Sequence, residues 1–239
     1  MNNIAILRID MEVNGFISTL HPVIVRDDHE MVLFDCGHKD AFNQLKEKAH
    51  KAGFDLTRLT KVLITHHDHD HMGALADLIR EYPAVKVYAS PIEAGYISGK
   101  VKSVRLQQAE EQLEFFPEEQ KEHAQKRIDM LKLIEPVDID GFLHDGDRLD
   151  VCGGIEVVAT PGHLPGHLSF YLKGHKTMIA GDALVVADGK LYRANPRFTL
   201  DKDEAYTSAR RFINYAIDML VCYHGGEITE NIKESLENI

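Results

Sequence analysis

The 239-residue chain has few cysteines, no basic run and no long apolar run, and each shortage narrows what it can be. Cys36, Cys152 and Cys222 form no Cys-x-x-Cys pair, and an odd number so widely spaced makes no disulfide framework. Each lies in or beside an apolar stretch, which predicts buried free thiols in a reducing compartment. Lys and Arg number 27 against 38 Asp and Glu, a net charge of −11. Phosphate neutralisation needs a Lys/Arg surface, so neither nucleic acid nor an anionic membrane is the expected partner. No apolar stretch approaches the roughly 20 residues that span a bilayer. Met1-Asn2-Asn3-Ile4 carries no basic or apolar leader signal. The expectation is a cytoplasmic protein acting on a small molecule, in one layered domain over 1–239.

Histidine, by contrast, is plentiful at 14 residues, and it is concentrated. The stretch Thr65-His66-His67-Asp68-His69-Asp70-His71-Met72-Gly73 opens with four imidazoles, two carboxylates and a hydroxyl in succession. A packed core has no use for that set, whereas Zn, Fe or Mn takes imidazole and carboxylate together. The apolar run 61–64 before it predicts a buried strand. After it, Leu75, Leu78, Ile79 and Tyr82 recur at helical spacing until Pro83. The cluster therefore belongs to a strand-to-helix turn.

Around this turn the chain reads as mixed α/β. Short strands at 4–9, 16–17, 23–25 and 31–34 are separated by Asn14-Gly15, His21-Pro22 and a tight turn at 27–30, with Asp35-Cys36-Gly37 closing the last. A helix over 40–52 follows, then strand 61–64, the cluster with its helix, and a strand at 85–89. From about 92 to 135 the pattern turns helical and densely charged, predicting two helices joined near Pro117 or one kinked there. With no strands and no metal-type residues, this insertion fits either a lid over a pocket or a contact between copies in a homodimer. Strands return at 155–159, 168–172, 177–180 and 220–223. A loop is expected over 187–200, a helix over 202–219 and a terminal helix.

Four apolar strands lead within a few residues to His66, His163, Asp182 and His224 respectively, each in a turn rich in Gly or Thr. Strands of one sheet system can bring such ends to a single edge, which is a metal site assembled from distant positions. THHDHDHMG at 65–73, TPGHLPGH at 160–167, GDA at 181–183 and HGG at 224–226 occur in the order found in metallo-β-lactamase-fold hydrolases, which the chain resembles outside the 92–135 insertion. That resemblance implies a four-layer αββα sandwich with a two-metal site at the sheet edges. It assigns His66, Asp68 and His163 to the first metal, Asp70, His71 and His224 to the second, and Asp182 to a bridge. Asp68 departs from the pattern, standing where most of the family has His. A carboxylate there makes the first position harder, so Zn is the default while Fe or Mn gains weight. One position dominantly filled is compatible with the same ligands. His67 and His69 fall at variable positions and are expected to turn away from the metals.

The resemblance implies a hydrolase. Two divalent ions would lower the pKa of a bridging water and polarise a carbonyl or phosphoryl oxygen, with Asp70 ligating and orienting that water. Asp35 and His167 suit contacts that hold the ligands in orientation. Tyr192, Asn195 and Phe198, in the loop after Asp182, are candidates for the substrate, and Phe115 and Phe116 lie in the insertion. The expected substrate is a small ester, lactone or thioester. Phosphodiester cleavage and di-iron reduction of oxygen or nitric oxide are the competing activities.

Overall fold

The structure is a computed structural model that describes residues 3–13 and 16–239, so the predicted break at Asn14-Gly15 lies outside the described residues. The first half runs β1 (Ile4–Ile6), β2 (Ile9–Val13), β3 (Phe16–Leu20), β4 (Val23–Arg26), β5 (Met31–Phe34), α1 (Phe42–Lys51), β6 (Lys61–Leu63), α2 (His69–Met72), α3 (Leu75–Glu81) and β7 (Lys86–Ala89). Helices α4 (Pro91–Ile97), α5 (Val104–Gln112) and α6 (Glu118–Lys132) follow, then β8 (Gly141–Phe142). The second half runs β9 (Arg148–Leu149), β10 (Ile155–Ala159), β11 (Leu168–Leu172), β12 (Thr177–Gly181), β13 (Leu184–Ala187), β14 (Lys190–Arg193), α7 (Lys202–Arg210), β15 (Met219–Cys222), β16 (Gly226–Ile228) and α8 (Ile232–Glu237).

Two six-stranded sheets result, in the orders β1-β4-β5-β6-β7-β8 and β16-β15-β12-β11-β10-β9. Pairing in the first is antiparallel up to β5 and parallel from β5 to β8. In the second only β12 and β15 are parallel. The period of two along each strand sorts side chains between layers. On β4, Val23 and Val25 face the second sheet with Phe34, Val157, Phe170 and Ile179, while Ile24 faces the α1 and α3 residues Leu45, Ala49, Leu75 and Leu78. On β12, Ile179 joins the inter-sheet core while Met178 and Ala180 pack towards Ala209 of α7 and Leu236 of α8. Three apolar cores separated by two sheets are the αββα sandwich. Phe34 and Phe170 meet across its centre with ring centroids 5.1 Å apart.

Three expectations change. The strand over 4–9 is two strands, because β1 pairs with β4 whereas β2 turns away into a separate ribbon with β3. The loop over 187–200 contains the β13–β14 hairpin, whose turn residues Asp188 and Gly189 both have positive φ, 49° and 70°, as an Asp-Gly hairpin turn requires. The helix over 202–219 ends at Arg210 and passes through a short 3₁₀ turn, Arg211–Asn214, into β15. The helical segment divides at Pro117 as expected, and all three cysteines are buried and free.

Candidate metal centre

Strands β5, β6, β10, β12 and β15 all end at the same rim of the sandwich, and the turns after them carry Asp35, the 65–73 stretch, His163, Asp182 and His224. Local packing explains the glycines in these turns. A Cβ on Gly73 would come within 2.4 Å of the Lys39 backbone nitrogen. Gly162, at φ +125°, lies against α7, where a Cβ would meet Ala205 N at 2.1 Å. Only glycine lets those backbones approach.

Hydrogen bonds settle which nitrogen each imidazole presents. Asp35 accepts from Thr65 N–H at 2.8 Å, from the Thr65 hydroxyl at 2.8 Å and from His71 Nδ1 at 2.8 Å. With its proton given to Asp35, Thr65 Oγ1 accepts from His66 Nδ1 at 2.9 Å. Both rings therefore carry their proton on Nδ1 and turn an Nε2 lone pair inward. His66 Nε2, His71 Nε2 and Asp182 Oδ1 are buried without a hydrogen-bond partner, and one oxygen or nitrogen of each lies within 4.8 Å of the others. Buried acceptors facing one another need a cation between them. The remaining spacings agree: His71 Nε2–Asp182 Oδ1 is 3.3 Å, His224 Nε2–Asp70 Oδ2 is 3.2 Å and His224 Nε2–Asp182 Oδ2 is 3.4 Å. A tetrahedral ion with bonds of about 2.0–2.1 Å has ligand–ligand edges of about 3.3 Å.

The electrostatics demand positive charge as well. Burial disfavours a charged His71, yet Asp182 and Asp35 raise its pKa well above the ordinary value. Burial likewise opposes a charged His224, but Asp182 and Asp70 push it up to about 10. Burial raises the Asp182 carboxyl, and His224 and His71 more than offset it, holding it well below the usual carboxylate range. Burial lowers His66, reinforced by His71.

His167 serves the site indirectly. Its Nε2 accepts from the Asp182 backbone N–H at 3.0 Å, so Nδ1–H donates to Thr160 Oγ1 at 2.8 Å. Thr160 passes its proton to Ser169 Oγ at 2.7 Å, and Ser169 donates to Ala180 O at 2.9 Å. Burial and the neighbouring His66 keep His167 well below the ordinary imidazole range. His67 turns away from the cluster, as expected. Val104 N–H donates to its Nε2 at 3.3 Å, so Nδ1–H donates to Glu93 Oε2 at 2.5 Å, and its ring stacks on Tyr96. His69 sits 3.7 Å from Asp70 Oδ1 and lines the pocket.

A cavity of about 420 Å³ opens over the ligands, and Asn195 and Phe198 line it with Val185 and Val186. Tyr192 does not reach this cavity. It stands 46% exposed on β14, opposite Val185 in the hairpin, and lines a different depression. Phe115 is 86% exposed and also points elsewhere.

The 92–135 insertion, read from sequence as a lid or a contact between copies without metal-type residues, supplies three charged side chains at the centre. Glu93 is fully buried and accepts from His67 N–H and, through its other oxygen, from Gly166 N–H at 3.0 Å, tying the first ligand turn to the second. Arg105 reaches Asp68 and His163, and the half-buried Arg127 lines the cavity with no ion pair or hydrogen bond among the described residues. No spacing rule marks these residues, although an extra carboxylate at position 68 calls for a cation.

Residues 21–224 match the family described as the metallo-beta-lactamase superfamily. The chain belongs to that superfamily. Its members bind divalent metals, commonly zinc, and the ligand groups described above can hold one. The chain is 28% identical over 221 residues to the uncharacterized protein YobT of Bacillus subtilis, covering 88% of this chain and 86% of that one. It is 23% identical to the probable metallo-hydrolase YflN of the same organism, over 89% and 82% of the two chains. A hydroxyacylglutathione hydrolase from Erwinia tasmaniensis is 26% identical over 67% of this chain but only 45% of its own length. A metallo-beta-lactamase family protein of Thermus thermophilus superposes with a TM-score of 0.73 at 22% identity, over 99% of this chain and 77% of that one. Among the described residues no helix is long and apolar enough to cross a membrane.

Proposed function

We propose that the chain hydrolyses a small acyl substrate, an ester, lactone or thioester, carrying a negative charge. The observation that carries this reading is the set of unpartnered His66 Nε2, His71 Nε2 and Asp182 Oδ1 beneath a cavity walled by Val185, Val186 and Phe198. A divalent ion bound there supplies an acidified water and a Lewis acid for the scissile carbonyl. His71, Asp182, His224 and Asp70 would hold it. Asp70 turns Oδ2 to His224 at 3.2 Å, and its Oδ1, 3.7 Å from His69 Nδ1, would be the atom to hold a proton from water. Asn195 Oδ1 accepts from Arg197 N–H at 3.0 Å, which leaves its amide nitrogen as a donor for a developing oxyanion. Apolar walls suit a small acyl group and exclude water around it.

Arg127 supports the negative charge. The chain carries −11 overall, yet this half-buried guanidinium in the cavity wall has Arg105 and Arg197 among its charged neighbours, and burial with those arginines lowers its pKa. An anionic group on the substrate would relieve that surplus. The match to hydroxyacylglutathione hydrolases at low identity supports the thioester branch. The carboxylate at position 68 lends little to an iron-based reading, because Arg105 neutralises it.

The test is turnover by metal-loaded protein on matched thioesters, lactones and esters, each with and without a carboxylate, beside phosphodiesters and an oxygen-consumption assay. Faster cleavage of carboxylate-bearing acyl substrates is expected. Phosphodiester turnover alone, or oxygen uptake without hydrolysis, would overturn the reading.

A further inference from the structure

Arg105 is 5% exposed and sits inside the ligand cluster rather than beside it. Its Nε donates to Asp68 Oδ1 at 2.8 Å and Oδ2 at 3.0 Å, and its Nη2 donates to Asp68 Oδ2 at 2.8 Å and to Phe198 O at 2.7 Å. The same Nη2 lies 3.2 Å from His163 Nε2. Nη2 has only two N–H groups, already directed at Asp68 and Phe198 O, and His163 Nε2 also lies 3.2 Å from Asp68 Oδ2, so the guanidinium stands against the imidazole without a full hydrogen bond of its own to it. An ion bound at that nitrogen would sit against this positive charge. Asp68, assigned by resemblance to the first metal, is thus already engaged by a cation that also crowds His163. Around the second position His71 Nε2 and Asp182 Oδ1 have no hydrogen-bond partner, and neither has the nearby His66 Nε2, the remaining residue assigned by resemblance to the first metal.

Charge points the same way. Asp68 brings one more negative charge than a histidine would, and Arg105 returns it through a buried two-pronged ion pair.

We propose that Arg105 stands in for the first metal, as a resident cation on Asp68 and His163, so that the chain binds one divalent ion tightly, at Asp70, His71, Asp182 and His224. The inference extends the metal-dependent reading above and rests on it. Repulsion between a guanidinium and a divalent ion sharing one ligand pair weakens a second ion by about a thousand-fold or more.

The experiment is a titration of metal-stripped full-length protein with Zn²⁺ against a chromophoric chelator, which reads stoichiometry and affinity without turnover. Wild type is expected to take up one tight equivalent, with any second weaker by about a thousand-fold. Arg105→Met removes the cation and is expected to bind two equivalents within about ten-fold of each other, while Arg105→Lys stays at one. Circular dichroism of each variant establishes folding. If Arg105→Met fails to fold, Arg105→Gln replaces it, with two equivalents again expected. Two tight equivalents in wild type overturn this inference alone, as does a folded Arg105→Met or Arg105→Gln protein that binds only one. No uptake by wild type overturns the metal-dependent reading and this inference with it.

Discussion

Glu93 is the residue whose removal tests the architecture of the centre without touching a ligand. It is fully buried at the N-terminal turn of α4. Its carboxylate accepts three hydrogen bonds, from His67 N–H at 2.9 Å, His67 Nδ1–H at 2.5 Å and Gly166 N–H at 3.0 Å. Glu93→Ala leaves those donors buried with nothing to accept them. Each orphaned donor costs about 1–3 kcal/mol, so the total is about 3–9 kcal/mol. Against a global stability of about 5–15 kcal/mol, that is a large fraction. The corresponding fall in Tm is roughly 6–36 °C for a chain of this size. Glu93→Gln keeps an acceptor for the two His67 donors and turns an NH₂ group towards Gly166, so about 1–3 kcal/mol is lost. Urea unfolding of metal-loaded protein, followed by circular dichroism, measures both. Variants within about 1 kcal/mol of wild type, or a Gln variant as weak as the Ala one, would refute the reasoning.

Other perturbations follow from the same geometry. Asp182→Ala is expected to abolish hydrolysis and tight metal binding while far-ultraviolet dichroism stays native; retained turnover would sink the assignment of Asp182 as a ligand. Arg127→Ala should raise KM for a carboxylate-bearing substrate about ten-fold and leave KM for its uncharged analogue unchanged, read from steady-state kinetics. Chelation should lower Tm, and zinc restored to about a thousand times its Kd should return about 4 kcal/mol of stability by mass action, measured by calorimetry. Phe170→Ala empties the contact with Phe34 between the sheets and should destabilise the fold by about 3–5 kcal/mol in the same urea assay.

The residues gathered at the candidate centre were legible because each follows an apolar strand in a short polar turn, a local pattern that survives without knowledge of the contacts. His66, His163, Asp182 and His224 are brought to one rim because parallel and antiparallel pairing aligns those strand ends. Asp35 and His167 could be suspected from position, yet their roles rest on tautomers that only hydrogen-bond partners reveal. The insertion was the opaque part. Its helices carry charge on most faces, so periodicity could not say that Arg105 turns inward while the neighbouring Leu106 is only partly buried. Tyr192 failed for a related reason, since it lines a separate depression while its strand partner Val185 lines the cavity.

Both large sheets finish in very short strands: β1 and β16 have three residues each, and β8 and β9 have two. Edges that brief offer few open N–H and C=O groups to another chain. Copies of the molecule therefore have little backbone through which to extend a sheet from one to the next, which guards a strand-rich protein against fibrous aggregation. Association of copies through the two large sheets is thus disfavoured, which leaves it to helix, loop and ribbon surfaces.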